Sequence, residues 1–117
     1  MFPYEQLVVY KKAYQVNQKL YRMLKGNKTT ATYAKTQLGR ASLSIMLNIA
    51  EGSAKYSDKD RRNFFITARG SVFECSSIIC FLYSEGEIEE GFKTDLYSAL
   101  DEISRILYTM IKNLGSR

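Results

Sequence analysis

Beyond its third residue this chain has no proline. Nothing in its body therefore removes a backbone N–H or drives a ring into a preceding turn, so long helices can run unbroken. Four segments repeat apolar residues at three- and four-residue spacing, and none sustains the two-residue alternation of a strand. Breaks fall at Lys25-Gly26-Asn27, Gly52-Ser53 to Ser57-Asp58 and Glu85-Gly86 to Gly91. Connections this short join antiparallel helices. The 117 residues are the length of one domain. The pattern predicts an all-α, up-down-up-down antiparallel four-helix bundle, one domain over residues 1–117.

The segments differ in how much of their circumference is apolar. The first, from about Tyr4 to Lys25, places Leu7, Val9, Tyr10, Ala13, Tyr14, Val16, Leu20, Tyr21, Met23 and Leu24 on an arc of roughly 200° at 100° per residue. A surface helix needs a stripe of only about 100°. The second, about Thr30 to Ala50 with Thr29 or Thr30 as N-cap, has one apolar face of Ala34, Leu38, Ala41, Ile45 and Ile49. A second face of Leu43, Met46, Leu47 and Ala50 lies nearly opposite. Gly39 sits mid-helix, which close helix–helix approach would explain. The third opens on Ser57-Asp58-Lys59-Asp60, a variant capping box. Its stripe runs from Phe64 to Tyr83, with Ile66, Phe73 and Phe81 outside it. The fourth, about Ile88 to Leu114, has a single stripe ending in Met110, Ile111 and Leu114. Surplus apolar surface on the first three segments predicts self-association.

Composition removes several function classes. There is no histidine, so catalysis or metal binding through imidazole is excluded. Cys75 and Cys80, five positions apart, point about 140° from each other on a helix and cannot pair; they read as small buried residues. The longest apolar run, Ile78 to Tyr83, is far short of the roughly 20 residues of a membrane span. The first residues lack a signal-peptide pattern, which leads us to expect a cytoplasmic protein that does not engage a membrane. The acidic clusters Glu87, Glu89, Glu90 and Asp101, Glu102 read as solvated helix-end charge. No metal or other cofactor is expected.

The net charge is +5, with a sequence pI near 9.2. It is unevenly spread: residues 1–55 hold nine Lys/Arg against two Asp/Glu, a net of +7, and residues 56–117 a net of −2. Lys11, Arg22 and Lys25, with Gln15 and Gln18, form one stripe of the first helix, flanked by Lys12 and Lys19. Lys28 and Lys35 extend it. Cations at helical spacing can track a phosphate backbone; a solvated lysine-rich face is the alternative. On the second helix, Arg40, Ser44, Asn48 and Glu51 border a polar strip that reads as interface pairing and helix register. No base stands beside Ser44, so the strip does not read as catalytic. Tyr10, Tyr14 and Tyr21 are expected to pack in the core or an interface rather than to stack bases.

The most specific string is Gln37-Leu38-Gly39-Arg40-Ala41-Ser42-Leu43-Ser44-Ile45-Met46-Leu47-Asn48-Ile49-Ala50-Glu51-Gly52. It resembles the signature of the proteins encoded by intervening sequences within bacterial large-subunit ribosomal RNA genes. The later Phe65-Ile66-Thr67-Ala68-Arg69-Gly70-Ser71-Val72-Phe73-Glu74, the early Leu7-Val8-Val9-Tyr10-Lys11-Lys12-Ala13 and the turn Glu85-Gly86-Glu87-Ile88 fit the same family. Gly39 departs from it, standing where an Arg is usual. The resemblance implies a four-helix bundle assembled as a homopentamer. Its genomic setting implies RNA as a ligand, and a related class serves as accessory protein to the reverse transcriptase of diversity-generating retroelements. Two functions are therefore expected to compete: a non-enzymatic oligomer that binds RNA or DNA through the basic face, and a scaffold that docks a partner enzyme.

Overall fold

In the computed structural model, which describes residues 1–28 and 30–115, the helical periods become four α-helices and one short 3-10 helix, with no strand among the described residues. The 3-10 helix is Pro3–Gln6, followed by α1 (Val8–Gly26), α2 (Thr32–Ser53), α3 (Asp58–Ser84) and α4 (Glu90–Gly115). They pack in the order α1–α2–α3–α4, with α4 returning to α1, in a body 47 × 27 × 22 Å. The expected antiparallel bundle is the observed fold.

The inner stripes meet in one core. Val9, Ala13, Val16 and Leu20 of α1 face Leu38, Ile45 and Ile49 of α2, Val72, Cys75 and Ile79 of α3, and Leu96, Leu100, Ile103 and Leu107 of α4. Each is buried to within 2% of complete exclusion. Helix periodicity located these residues because a 3.6-residue repeat leaves one face of each helix to be covered.

Local chemistry explains the ends. Ser57 caps α3: its hydroxyl accepts from the Asp60 N–H at 3.1 Å. The other end of α3 closes in a Schellman turn. Gly86 adopts φ +75°, the Glu87 N–H reaches the Leu82 carbonyl at 2.9 Å and the Gly86 N–H reaches that of Tyr83 at 3.0 Å. Elsewhere the expectations need correcting. The first segment is not one helix from Tyr4, because Leu7 turns extended (ψ 128°) between the 3-10 helix and α1 and lays its side chain on the core. Thr30 is not an N-cap. Ala31 holds that position, while the Thr30 amide donates to Asn27 Oδ1 (2.9 Å) and its hydroxyl to Glu87 Oε2 (3.1 Å), tying the first loop to the third. The alternative cap, Thr29, lies outside the described residues.

One helix, α3, is by length and composition apolar enough to cross a membrane. The longest unbroken apolar run understates it, since the apolar residues are interspersed with small polar ones. Its inner face is the seam between α2 and α4, and the core helix of a bundle passes the same test.

Cys75 and Cys80 are free thiols, Cys75 buried and Cys80 half-buried. Burial, with Glu74 adding to it, pushes the Cys75 thiol from its ordinary 9.0 up to about 12. A neutral thiol there is unreactive. At mild alkaline pH a thiol reagent should label Cys80 in the folded protein and Cys75 only after denaturation, a difference that mass spectrometry of the labelled peptides reads directly. The sign for stability follows. The folded state holds the Cys75 proton more tightly than the unfolded state, so this contribution is complete below pH 9 and is lost as pH rises toward 12.

Candidate nucleic-acid interface

The polar strip of α2 turns out to be a seam with α3. Ser44 Oγ meets Ser71 Oγ at 2.7 Å, and Asn48 Nδ2 donates to the Ser44 carbonyl (2.8 Å) and hydroxyl (3.0 Å). One end of the seam holds Gln37 Nε2 donating to Glu74 Oε2. At the other end, a Cβ on Gly52 would lie 2.8 Å from the Phe65 ring and 2.9 Å from Phe64 Cβ. The pairs Gln37–Glu74, Ser44–Ser71 and Gly52–Phe65 step in opposite directions along the two helices, as antiparallel register requires. The most specific strings of the sequence thus meet each other within one protomer, where Ser44 crosses to Ser71 and Asn48 bonds back to Ser44. Arg40 and Glu51 stay exposed and make no ion pair among the described residues.

The basic stripe lies on α1, which carries five cations and no acidic residue between Val8 and Gly26. Lys11, Lys19, Arg22 and Lys25 are exposed, as is Lys28 in the loop beyond. The others are partly engaged. Lys12 is half-buried and ion-paired with Glu102 of α4, an exposed pair worth about 0–1 kcal/mol. Lys35 is half-buried and donates from Nζ to the Asn27 carbonyl. Lys19 stands beside Lys12 over a shallow hollow between α1 and α4. The structure therefore brings Lys11, Arg22 and Lys25 onto one open flank, sets Lys12 and Lys19 toward α4, and sets Lys35 across from Lys25 on α2.

Between α1 and α2 runs a groove of about 560 Å³. Tyr14, Tyr21 and Leu24 form one wall and Gly39, Leu43 and Met46 the other. Tyr14 and Tyr21 are 48% and 62% exposed, so neither packs in the protomer's core. Tyr10 does pack, half-buried in an aromatic series that runs from Phe2 through Tyr4 and on to Tyr14, with Tyr4–Tyr10 centroids 4.7 Å and Tyr10–Tyr14 centroids 6.2 Å apart. Burial, then the neighbouring Tyr4, Tyr14 and Glu5, raises its hydroxyl above the ordinary tyrosine range. Gly39 does not mark a close approach inside the chain, because a Cβ there would meet only Leu24 Cδ1, at 4.0 Å. Asn17 fixes the groove floor. Its Nδ2 donates to the Ala13 and Ser42 carbonyls (2.9 and 2.8 Å), and its Oδ1 accepts from the Ser42 hydroxyl at 2.8 Å. The readable signal for this clamp was a polar residue on the inner arc of an amphipathic helix.

The surplus aromatic surface of α3 and α4 is different in kind. The Arg69 guanidinium lies 4.9 Å from the Phe73 ring centroid and 5.3 Å from that of Tyr108, and its Nε donates to the Ser104 carbonyl. Lys93 Nζ lies 5.4 and 5.3 Å from the Tyr83 and Tyr97 rings. Cations within about 6 Å of a ring centroid are held by its quadrupole, so these aromatics have partners within the chain. Periodicity could not pair them, because each contact crosses helices or joins turns on the polar side. Among the described residues no group of three or more Cys, Asp and Glu could hold a metal ion.

The family signature over residues 5–109 is that of the 23S rRNA-intervening sequence protein. The chain belongs to that family. The fold is also that of a crystal structure of a protein of unknown function from the S23 ribosomal protein family of Bacteroides thetaiotaomicron. That protein is 22% identical, with a TM-score of 0.85 over 90% of this chain and 99% of the other. No curated protein matches this chain.

Proposed function

We propose that this intervening-sequence protein is a non-enzymatic, cytoplasmic homo-oligomer whose basic surface binds RNA or other nucleic acid with little sequence specificity. The observation that carries the reading is α1: Lys11, Lys19, Arg22 and Lys25 exposed along one helix with no carboxylate among them. Such a row suits phosphates spaced along a strand. The self-associating part of the reading rests on the outer apolar residues Leu47 of α2 and Ile66 and Phe81 of α3, all 44–56% exposed. A pentamer is the assembly that the resemblance implied. Several copies would repeat the basic row and multiply weak phosphate contacts.

The test is RNA binding by nuclease-treated protein across a salt series. Affinity should fall steeply with salt. Lys11→Glu, Lys19→Glu and Arg22→Glu together should lower the slope of log affinity against log salt by about two, at about 0.7 per phosphate contact on a single strand. The mass in solution should be unchanged. If the triple variant binds as the parent does, the row is a solvated face and function moves to capture of a partner protein. A monomeric mass at micromolar concentration would defeat the oligomer.

A further inference from the structure

We propose that the groove between α1 and α2 receives unstacked bases of single-stranded RNA, with Tyr14 and Tyr21 as stacking faces and Lys25 and Lys35 on the flanking phosphates. This deepens the RNA reading and rests on it. The first argument is charge. Among the described residues, Lys25 and Lys35 are the only charged ones lining the groove, one on each helix, so it suits an apolar or aromatic group carrying negative charge. Lys35 spends one of its three N–H donors on the Asn27 carbonyl. The second argument is continuity. Lys11, Arg22 and Lys25 lie on the open flank of the same helix that presents Tyr14 and Tyr21, which combines a cationic track with aromatic platforms, the design of sequence-tolerant single-strand binding.

The third argument is the cation beside the ring. Lys25 Nζ lies 6.0 Å from the Tyr21 ring centroid, a looser contact than the 4.9–5.4 Å of the cations over Phe73, Tyr83, Tyr97 and Tyr108, which sets a phosphate-binding charge next to a stacking face. The last argument is spacing. Seven residues of α-helix separate Tyr14 from Tyr21 by about 10.5 Å. That is three base steps of about 3.4 Å, and it leaves room for two bases between them. The Asn17–Ser42 clamp keeps the two walls at fixed separation.

The experiment compares a short oligouridylate with an RNA duplex of the same length by fluorescence anisotropy, on the full chain. The Tyr14→Leu/Tyr21→Leu variant keeps apolar cover and helix propensity but loses both rings. It should bind the single strand roughly 10-fold or more weakly, with duplex affinity and salt slope unchanged, and Tyr14→Phe/Tyr21→Phe should restore binding. The chain has no tryptophan, so Tyr21→Trp supplies a single reporter whose emission the single strand should quench. Equal single-strand binding by the parent and the Leu variant overturns the groove while leaving the RNA reading intact. No RNA binding by the parent at any salt overturns both. If the Leu variant loses its oligomeric mass but keeps RNA affinity, the groove belongs to a second copy of this chain, and the proposal fails.

Discussion

Replacing Ile45 by alanine should cost the folded state about 2–5 kcal/mol. Ile45 is fully buried at the middle of α2, facing the core shared by all four helices. Removing its branched side chain forfeits the transfer of those carbons from water and leaves a cavity that four packed helices can only partly close. A domain of this size has of the order of 5–15 kcal/mol in total, so the loss should be visible as a melting temperature lower by about 10–20 °C. A loss below about 1 kcal/mol would mean that α2 does not occupy the centre of the core. The matched control is Leu47→Ala on the outer face of the same helix, where the side chain is 56% exposed. In a monomer that change should stay within about 0.5 kcal/mol. A larger, concentration-dependent loss would place Leu47 inside an oligomer interface.

Three helical glycines should respond to alanine with opposite signs. Gly52→Ala drives a methyl group to 2.8 Å from the Phe65 ring and 2.9 Å from Phe64 Cβ. The Cβ of Phe64 cannot swing aside without moving the α3 backbone, so α2 and α3 must separate near their loop. Overpacking of this kind costs about 1–3 kcal/mol, more than the roughly 1 kcal/mol by which alanine favours a helix over glycine. Gly70→Ala meets nothing within 4 Å and Gly39→Ala only Leu24 Cδ1 at 4.0 Å. Both should therefore stabilise the protomer, by about 0.5–1 kcal/mol each. Chemical denaturation of the three variants decides the matter. A stabilised Gly52→Ala would show that the α2–α3 seam is looser than its geometry, and a destabilised Gly39→Ala would show that another chain packs on that glycine.

Much of this protein was determined by its sequence alone. The absence of internal proline and the 3.6-residue apolar repeats dictate four helices, because only a helix lays Leu96, Leu100, Ile103 and Leu107 on one face. The Schellman glycine Gly86 and the cap Ser57 mark ends through local geometry that each residue carries wherever it stands. The acid-free α1 is legible for the same reason, since exposure follows from the wheel. What the wheel cannot resolve is which turns of different helices meet. Ser44 and Asn48 could be read as register residues, but that Ser44 meets Ser71 of the same protomer, with Asn48 bonded back to Ser44, depends on how α3 slides against α2. Whether a glycine is needed also depends on the neighbour: Gly39 and Gly52 look alike in sequence, yet only Gly52 has a phenylalanine against it. The same holds for the aromatics. Tyr14 and Tyr21 share an arc with buried valines, but α1 stands far enough from α2 to leave them lining a groove, while Arg69 and Lys93 cover the rings of α3 and α4. Helix period is a property of one segment, whereas pairing, register and cover are properties of two, and those only the tertiary structure decided.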